Sequence, residues 1–250
     1  MFFSVIIPTK NRTHLLQRAL MSVSAQTFTD FELIVVDDGD VSGIRLAESV
    51  GHPHLKTLSS RSAGQVPARN LAIAAAQGTY IAWLDDDDWF APSHLADLAQ
   101  ILSAAPVVAY ASGWIAYEDE QGQRLSTLPF NAYADALSLR ENNTLLLPGL
   151  AYPRHFHEIY GLFDASMAYY WDWDYYLRLA ENKVAFVGAA QPSVWISARG
   201  TSVSADQNAQ ARRAELDQLE AKHHLGKIAL KNHAGIAEEQ AKAPPRSDRQ

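Results

Sequence analysis

Short apolar runs alternate with amphipathic stretches through the first part of the chain. Runs rich in β-branched and aromatic residues, which are typical of buried strands, occupy 3–7, 31–36 and 79–84, and a further short strand is predicted at 55–58. Apolar residues at helical spacing, or a proline suited to a first helical turn, predict four helices: one carrying Leu15 to Val23, one near 41–50, one from Pro67 to Ala76, and one that opens at Pro92. This alternation predicts an α/β fold with a doubly wound, mostly parallel central sheet and helices on both faces.

The pattern changes in the second half, where predicted strands follow one another more closely. Residues 107–117 are predicted to form one long strand, with a hairpin turn over 118–123. A helix near 171–181 precedes two further short strands, around 184–188 and 193–197. We expect this half of the chain to contribute a smaller second sheet beside the central one.

The end of the chain is polar. Residues 206–233 are predicted to be a helical segment. Residues 234–250, rich in Ala, Gln, Pro and Arg, are predicted to be a disordered tail, because such a composition buries too little apolar surface to fold. Residues 1–205 then hold the whole α/β domain, a length that suits a single domain.

The composition describes a globular protein with no general affinity for nucleic acid. The 250 residues are 48% hydrophobic and 20% charged, with a formal net charge of -7. A negative net charge gives no electrostatic attraction toward nucleic acid or anionic lipid. The chain has no cysteine, which suits a reducing compartment, and no apolar stretch near the ~18 residues of a membrane span. We therefore expect a cytoplasmic protein, with peripheral contact to the inner face of the membrane left open.

Polar residues follow three of the predicted strands at the point where each strand ends. They form three groups: Pro8 to Arg12, Asp37 to Asp40, and Asp85 to Asp88. The carboxyl ends of parallel strands meet at one edge of a sheet, where open α/β sheets bind their ligands. The three groups are therefore expected to converge on one site.

The four consecutive aspartates at 85–88 are the most informative of these groups. Like charges at such close spacing repel, and a divalent cation relieves the repulsion. Carboxylate oxygens suit Mg²⁺ or Mn²⁺, which also take phosphate oxygens of a substrate as ligands. The alternative is an acidic surface turn in which Asp85 or Asp88 caps a helix. Asp37 and Asp38, at a neighbouring strand end, favour the metal.

A second cluster of chemically active side chains lies within the predicted helix near 171–181. Asp174 and Arg178 are spaced for an i,i+4 ion pair. Asp172 stands among tryptophans and tyrosines, where loss of water would raise its pKa toward the range of a general base. The alternative is that Asp172 caps the N-terminus of the helix.

Five groups of segments along the chain match, in order, the motifs of one enzyme family. They are Ser4–Arg12, Gln26–Gly39, Ala68–Gly78, Leu84–Trp89 with Pro92, and Gly161–Asp164 followed by Trp171–Asp174. Together they resemble the family-2 glycosyltransferases, which have the GT-A fold. The fourth group looks like the family's metal-binding acidic motif, and the fifth resembles the region that carries the catalytic base. The resemblance covers roughly residues 3–205, and the five groups in order make a specific signal.

The resemblance implies a role for each matching residue. The nucleotide sugar would be bound by residues of the three strand ends and by two arginines: Pro8, Thr9, Asn11, Arg12, Asp38, Arg69, Asp85, Asp86 and Arg199. Thr9 and Asp38 would hold the nucleotide base, and Asp86 would bond the ribose. Asp87 would bind the metal that bridges the two phosphates. Asp172 would be the catalytic base that takes the proton from the acceptor hydroxyl.

Two departures from the family's pattern matter. Trp171 precedes Asp172, where the family usually has Glu, and Arg199 stands where many relatives carry His. We expect Arg199 to contact the diphosphate directly instead. The Gln-x-x-Arg-Trp motif of the processive subgroup is absent, so we expect transfer of a single sugar rather than polymerisation.

The resemblance implies an inverting glycosyltransferase that moves one sugar from a nucleotide-diphosphate sugar, with a UDP-sugar favoured, to an acceptor hydroxyl. The acceptor would be a glycan, a glycolipid or another hydroxyl compound in polysaccharide assembly, and the cofactor Mg²⁺ or Mn²⁺. Residues 1–105 would be the nucleotide-sugar-binding half and residues 106–205 the acceptor half. Two alternatives stay open: a catalytically silent module that binds nucleotide sugars or glycans, and a nucleotidyltransferase of similar fold.

Overall fold

The computed structural model describes residues 1–119, 121–199 and 208–242. Their strands, in chain order, are β1 (Phe3–Thr9), β2 (Phe31–Asp37), β3 (Leu55–Ser59), β4 (Tyr80–Trp83), β5 (Trp89–Phe90), β6 (Val108–Tyr110), β7 (Gly113–Glu118), β8 (Arg124–Phe130), β9 (Leu150–Pro153), β10 (Phe186–Gly188) and β11 (Val194–Ala198). Their α-helices are α1 (Thr13–Ser24), α2 (Ser42–Val50), α3 (Gln65–Ala75), α4 (His94–Leu102), α5 (Phe156–Tyr160), α6 (Trp171–Glu181), α7 (Ala209–Lys222) and α8 (His233–Lys242). Short 3-10 turns cover Ser138–Arg140 and Leu147–Gly149.

The central sheet has the strand order β10-β6-β9-β4-β1-β2-β3. β1 pairs in parallel with β2 on one side and with β4 on the other, and β3 extends the sheet in parallel beyond β2. β9 runs antiparallel to both of its neighbours. The predicted mostly parallel, doubly wound sheet is confirmed, whereas β9 was not predicted from the apolar pattern.

Two hydrophobic cores cover the two faces of the central sheet. Ile6 of β1 lies in one core, and its neighbours Val5 and Ile7 lie in the other. The first core includes side chains of α3 and α6, and the second includes side chains of α1 and α4. Because both faces are covered, β1 is apolar at nearly every position, as a central parallel strand requires.

The smaller sheet has the strand order β5-β11-β7-β8. The prediction of a single strand over 107–117 is wrong, because this stretch forms β6 in the central sheet and β7 in the smaller one. The chain passes from one sheet to the other between these strands: β6 pairs with β10 of the central sheet, and β7 pairs with β11 of the smaller sheet. Gly113 allows β7 to lie close to β11, because a Cβ there would lie 2.1 Å from the Val194 carbonyl oxygen. The predicted hairpin joins β7 to β8.

The end of the chain differs from the predicted disordered tail. α7 lies within the predicted helical segment, but residues 233–242 form the further helix α8. Ile236 and Ala237 of α8 are buried in the same core as Phe130 of β8, and the Tyr117 hydroxyl donates to Glu238. So short an apolar face stabilises a helix only when another element covers it, which composition does not reveal. Residues 243–250 lie outside the described residues.

Candidate active site

A cavity of about 570 Å³ lies at the carboxyl ends of β1, β2 and β4. Its lining contains most of the residues expected to act on a nucleotide sugar: Pro8, Thr9, Arg12, Asp38, Arg69, Asp85, Asp86, Asp87 and Asp172. The polar groups that follow three strands therefore converge, as the parallel arrangement predicts. The roles assigned to the individual residues stay predictions.

Asp86 is held rigidly at the floor of the cavity. The Thr9 hydroxyl donates to its carboxylate at 2.8 Å, and the Arg12 guanidinium lies 3.5 Å away. Burial raises the pKa of Asp86 above its ordinary value, although both neighbours oppose the rise. Thr9 and Asp86 thus form one unit that joins the end of β1 to the acidic run after β4.

Burial and the neighbouring aspartates disfavour the ionised form of the Asp87 carboxylate. Its side chain is 25% exposed, and Arg12 lies 3.4 Å from it. Burial, and then the charges of Asp86 and Asp85, raise the pKa of Asp87 to about 7. A divalent cation would fit here, since it would relieve this repulsion. Across residues 1–119, 121–199 and 208–242 no three His, Cys, Asp or Glu side chains are placed to hold a metal, so a bound ligand would have to supply further oxygens.

Asp88, which lines the cavity, and Asp37, which does not, both accept backbone N–H groups of neighbouring segments. Asp88 is buried and accepts the backbone N–H of Ser197 of β11 at 2.8 Å, which ties the acidic run to the smaller sheet. Asp37 is buried and accepts the N–H groups of Gly39 and Gly43 at 2.7 and 2.8 Å. Asp37 therefore shapes the turn after β2, and it does not line the cavity.

Asp38 faces the cavity from the end of β2. Its carboxylate accepts the Ser60 hydroxyl at 2.6 Å, the Gly64 N–H at 3.1 Å and the Lys10 ammonium at 2.9 Å. Burial acts to raise the pKa of Asp38, but these hydrogen bonds outweigh it and hold the pKa below its ordinary value. Asp38 is therefore an ionised acceptor at neutral pH.

Arg69 links the acidic run to the helix that carries Asp172. It is 5% exposed on α3, and its guanidinium lies 2.5 Å from an Asp85 carboxylate oxygen. The same guanidinium lies over the Trp171 ring, 4.5 Å from the ring centroid. An arginine so placed gives the cavity a fixed positive charge between its two acidic groups.

Asp172 is a half-buried residue in the first turn of α6. One carboxylate oxygen accepts the Trp173 N–H at 2.7 Å, and the other accepts the Asn143 side-chain amide at 3.2 Å. Burial raises the pKa of Asp172 to about 6, in spite of these bonds and the charge of Arg69. The capping alternative is wrong, because Tyr170 occupies the N-cap position. The geometry therefore suits a general base that is ionised near neutral pH.

Asp174, two residues further along, is structural. Its carboxylate is fully buried and forms the predicted ion pair with Arg178 at 3.0 Å. Lys222 and His223 of the C-terminal segment contact the same carboxylate at 2.7 and 2.9 Å. Burial acts to raise the pKa of Asp174, but the hydrogen bonds of His223 and Lys222 and the charges of Arg178 and Lys222 hold it below its ordinary value. Asp174 is thus unsuited to accept a proton from a substrate.

Two of the predicted site residues lie elsewhere. Asn11 has a left-handed backbone, with φ of 55°, and its side chain accepts the Asp40 N–H at 3.0 Å. Arg199 pairs with Glu118, with 2.8 Å between guanidinium nitrogen and carboxylate oxygen. Neither residue lines the cavity. Their contacts with a donor stay predictions, and the residues after Arg199 up to 207 lie outside the described part of the chain.

The C-terminal segment forms a wall of the cavity that sequence reasoning missed. The lining residues from this segment come from α7, α8 and the chain between them: Arg212, Leu216, Ala229, Lys231, Asn232, His233 and Ile236. The only signal for them was the spacing of Leu216 and Leu219 along a polar helix. Two apolar residues three positions apart indicate the buried side of a helix, but they do not indicate that the helix lines a ligand-binding cavity.

The sequence model of the family described as Glycosyl transferase family 2 matches residues 4–159, more than half of the chain. The chain belongs to this family. An uncharacterized glycosyltransferase of Bacillus subtilis, YwdF, is 34% identical over 243 residues, which cover 96% of this chain and 90% of that protein. The glycosyltransferase therefore has a relative of almost the same extent, so the match includes the C-terminal wall of the cavity.

Solved structures of two other proteins share the GT-A fold of this glycosyltransferase. Staphylococcus aureus TarS, in complex with UDP-GlcNAc, has a TM-score of 0.62 and 20% identity over 89% of this chain and 71% of the other. The mannosyltransferase PcManGT of Pyrobaculum calidifontis, in complex with GDP-Man and Mn²⁺, has a TM-score of 0.63 and 19% identity over 96% of this chain and 68% of the other.

In the part of the chain that the structure describes, no helix is long and apolar enough to cross a membrane.

Proposed function

We propose that this glycosyltransferase transfers a single sugar, with inversion, from a nucleotide-diphosphate sugar to an acceptor hydroxyl. The observation that carries the proposal is that one cavity holds both the acidic run after β4 and the half-buried carboxylate of Asp172. The first group suits a diphosphate with its cation, and the second suits proton removal from an acceptor. A single cavity thus offers both halves of a direct displacement.

The donor half would be built from the strand ends. Asp87, whose carboxylate is repelled by the charges of Asp86 and Asp85, would hold Mg²⁺ or Mn²⁺ together with phosphate oxygens of the donor. When bound, such a cation supplies positive charge that stabilises the leaving nucleoside diphosphate. Thr9 and Asp86 would orient the nucleoside, and Asp38 would accept a hydrogen bond from its base.

The acceptor half would centre on Asp172. Its carboxylate would accept the proton of the acceptor hydroxyl as that oxygen bonds to the anomeric carbon and the bond to the diphosphate breaks. Attack from the side opposite the leaving group inverts the anomeric configuration. The transition state would have oxocarbenium character, by analogy with glycoside cleavage. Arg69, beside Trp171 and Asp85, would keep its positive charge between the two halves.

The donor class can be tested directly with a panel of nucleotide sugars. TarS has been solved with UDP-GlcNAc and PcManGT with GDP-Man, so UDP-sugars and GDP-sugars are the first to compare. We expect the largest rise in melting temperature with a UDP-sugar and Mn²⁺, and little rise when EDTA replaces Mn²⁺. No stabilisation by any nucleotide sugar with Mn²⁺ would contradict the proposed function.

Catalysis separates the proposal from its alternatives. An active transferase moves the sugar of the donor that raises the melting temperature slowly to water and faster to a suitable glycan acceptor. Nucleoside diphosphate is released in both cases. A silent binding module would bind the donor and release none. A nucleotidyltransferase would instead join a sugar phosphate to a nucleoside triphosphate, which releases pyrophosphate from the triphosphate. The half-buried Asp172 favours the transferase, because neither alternative has a use for a base in that place.

Replacing Asp38 with Ala should weaken donor binding by about 10- to 100-fold, the equivalent of one hydrogen bond to a charged group. The fold should persist, because Asp38 stands at a strand end and not within either apolar core. Calorimetry with the donor, and circular dichroism for the fold, would check both statements. Asp40→Ala is the matched control, since Asp40 lies on the same loop but does not line the cavity. An unfolded Asp38→Ala variant would show that Asp38 is structural.

A further inference from the structure

Glu215 of α7 makes an unusual set of contacts with the chain that leads into α6. The side chain is 8% exposed, and its carboxylate accepts the backbone N–H groups of Ala168, Tyr169 and Tyr170, each at 2.7 Å. Hydrogen bonds to a charged acceptor are among the stronger ones in proteins. Three consecutive amides are therefore held by one carboxylate that comes from 45 or more residues further along the chain.

These bonds add to the one local side-chain bond that the structure shows in the first turn of α6, in which Asp172 accepts the Trp173 N–H. Tyr170 occupies the N-cap position, and its side chain makes no capping hydrogen bond. Glu215 holds the N–H of Tyr170 itself and places a negative charge near the positive end of the helix. α6 is thus capped by a residue of another helix.

The segment that Glu215 holds belongs to the cavity. Tyr169, Tyr170, Trp171 and Asp172 all line it. Asp172 follows the last of the three bonded amides by two residues, so its backbone cannot shift without moving the bonded segment. A second set of contacts, from Lys222 and His223 to Asp174, holds α6 against the other end of α7.

We propose that Glu215 is a positioning residue of the transferase, which holds residues 168–170 and through them sets the place of the Asp172 carboxylate. This rests on the proposed function, in which Asp172 is the base. Misplacing a reacting group by ~1 Å can cost ~10²-fold in rate, so such a residue affects turnover without touching substrate. Glu215 lies beyond the residues that the family model matches, which end at 159.

The test compares Glu215→Gln with the wild type and with the control Asp217→Asn. Gln keeps the size of Glu but loses the charge and one acceptor oxygen. Asp217 lies on the same helix, half exposed, and pairs with Arg213 and Lys227 rather than with α6. The control therefore removes a carboxylate from α7 while leaving the start of α6 unchanged.

Two readouts are needed, one of them independent of any substrate. In hydrogen exchange, Glu215→Gln should speed exchange at 168–170 by ~10-fold or more, while Asp217→Asn leaves it unchanged. In turnover of the nucleotide sugar that the wild type uses, kcat should fall by ~10- to 10²-fold with the donor KM within about 3-fold of wild type. Glu215→Ala should lower kcat further.

Several results would overturn the proposal. Unchanged exchange at 168–170 would show that the three bonds do not hold the segment. Wild-type kcat in Glu215→Gln, with faster exchange, would show that Glu215 stabilises the fold but does not position the base. A common loss of kcat and donor affinity would mean that the cavity as a whole has collapsed. A wild-type protein inactive with every nucleotide sugar would instead refute the proposed function, while the exchange result would still test the contact.

Discussion

Replacing Asp172 with Asn should lower the rate of sugar transfer by ~10²–10⁴-fold, the usual worth of a positioned proton transfer. Asn keeps the size of the side chain and can still accept the Trp173 N–H, but it has no basicity. Donor affinity should change little, because the carboxylate serves the acceptor hydroxyl. Single-turnover rates with saturating donor, together with calorimetry of donor binding, would measure both quantities.

Asp97→Asn provides the matched control for this experiment. Asp97 is likewise a half-buried acidic residue in the first turn of a helix, α4, but it does not line the cavity. Its variant should transfer sugar at the wild-type rate. Near-normal transfer by Asp172→Asn would contradict the assignment of the base. Asp174 could not then take the role, because its side chain is fully buried and contacts Arg178, Lys222 and His223.

The same residue predicts how activity depends on pH. A general base works in its ionised form, and burial raises the pKa of Asp172 to about 6. The rate should therefore fall as the pH drops through about 6, well above the range in which an ordinary aspartate gains its proton. The pH dependence of kcat/KM, measured from about pH 5 to about pH 8, would locate the midpoint, because kcat/KM reports the pKa values of the free enzyme. The residual rate of Asp172→Asn should lack this midpoint.

The second large effect is expected at Asp87. In the wild type, a nucleoside diphosphate should bind far better with Mn²⁺ than with EDTA, because the carboxylates at 85–87 otherwise repel it. Asp87→Ala should abolish this dependence, with a loss of ~10²-fold in affinity in Mn²⁺, the equivalent of one close charge contact of a few kcal/mol. Titration calorimetry with UDP and GDP in Mn²⁺ and in EDTA would measure the difference.

Asp88→Ala is the control for Asp87→Ala. Asp88 is buried and accepts the Ser197 N–H, so its loss should lower the melting temperature, at a cost of about 1–3 kcal/mol, and preserve the dependence on Mn²⁺. The opposite ranking of the two variants would mean that the metal-binding carboxylate is Asp88. Equal affinity of the wild type in Mn²⁺ and EDTA would refute the metal site altogether.

The order of apolar and polar residues was enough to predict the parallel strands β1 to β4 and the edge of the sheet at which the polar groups after them meet. Strands such as β1 and β2 are mostly apolar because they are buried on both faces, and that burial is visible in the sequence. Parallel strands end at a common edge, so the polar groups after them had to meet. Asp172 was singled out by the aromatic residues beside it in the sequence, and in the structure it is half-buried.

What each carboxylate does could only be decided by the tertiary structure. Asp85, Asp86, Asp87 and Asp88 are equivalent in sequence, yet their partners lie on different elements: Arg69 on α3, Thr9 on β1, Arg12 beside α1 and Ser197 on β11. Ser197 is 109 residues away from Asp88 along the chain. No periodicity or local spacing can encode contacts over such distances.

The sequence by itself therefore determined the strands, the helices between them and the edge of the sheet at which polar side chains gather, because these follow from local periodicity and chain direction. Only the tertiary structure decided that residues 107–117 divide between two sheets, that α8 folds onto β8, and that Glu215 holds the start of α6. The physical reason is the same in all three cases. Each depends on burial or a hydrogen bond supplied by a distant segment, and that segment comes close only when the chain folds.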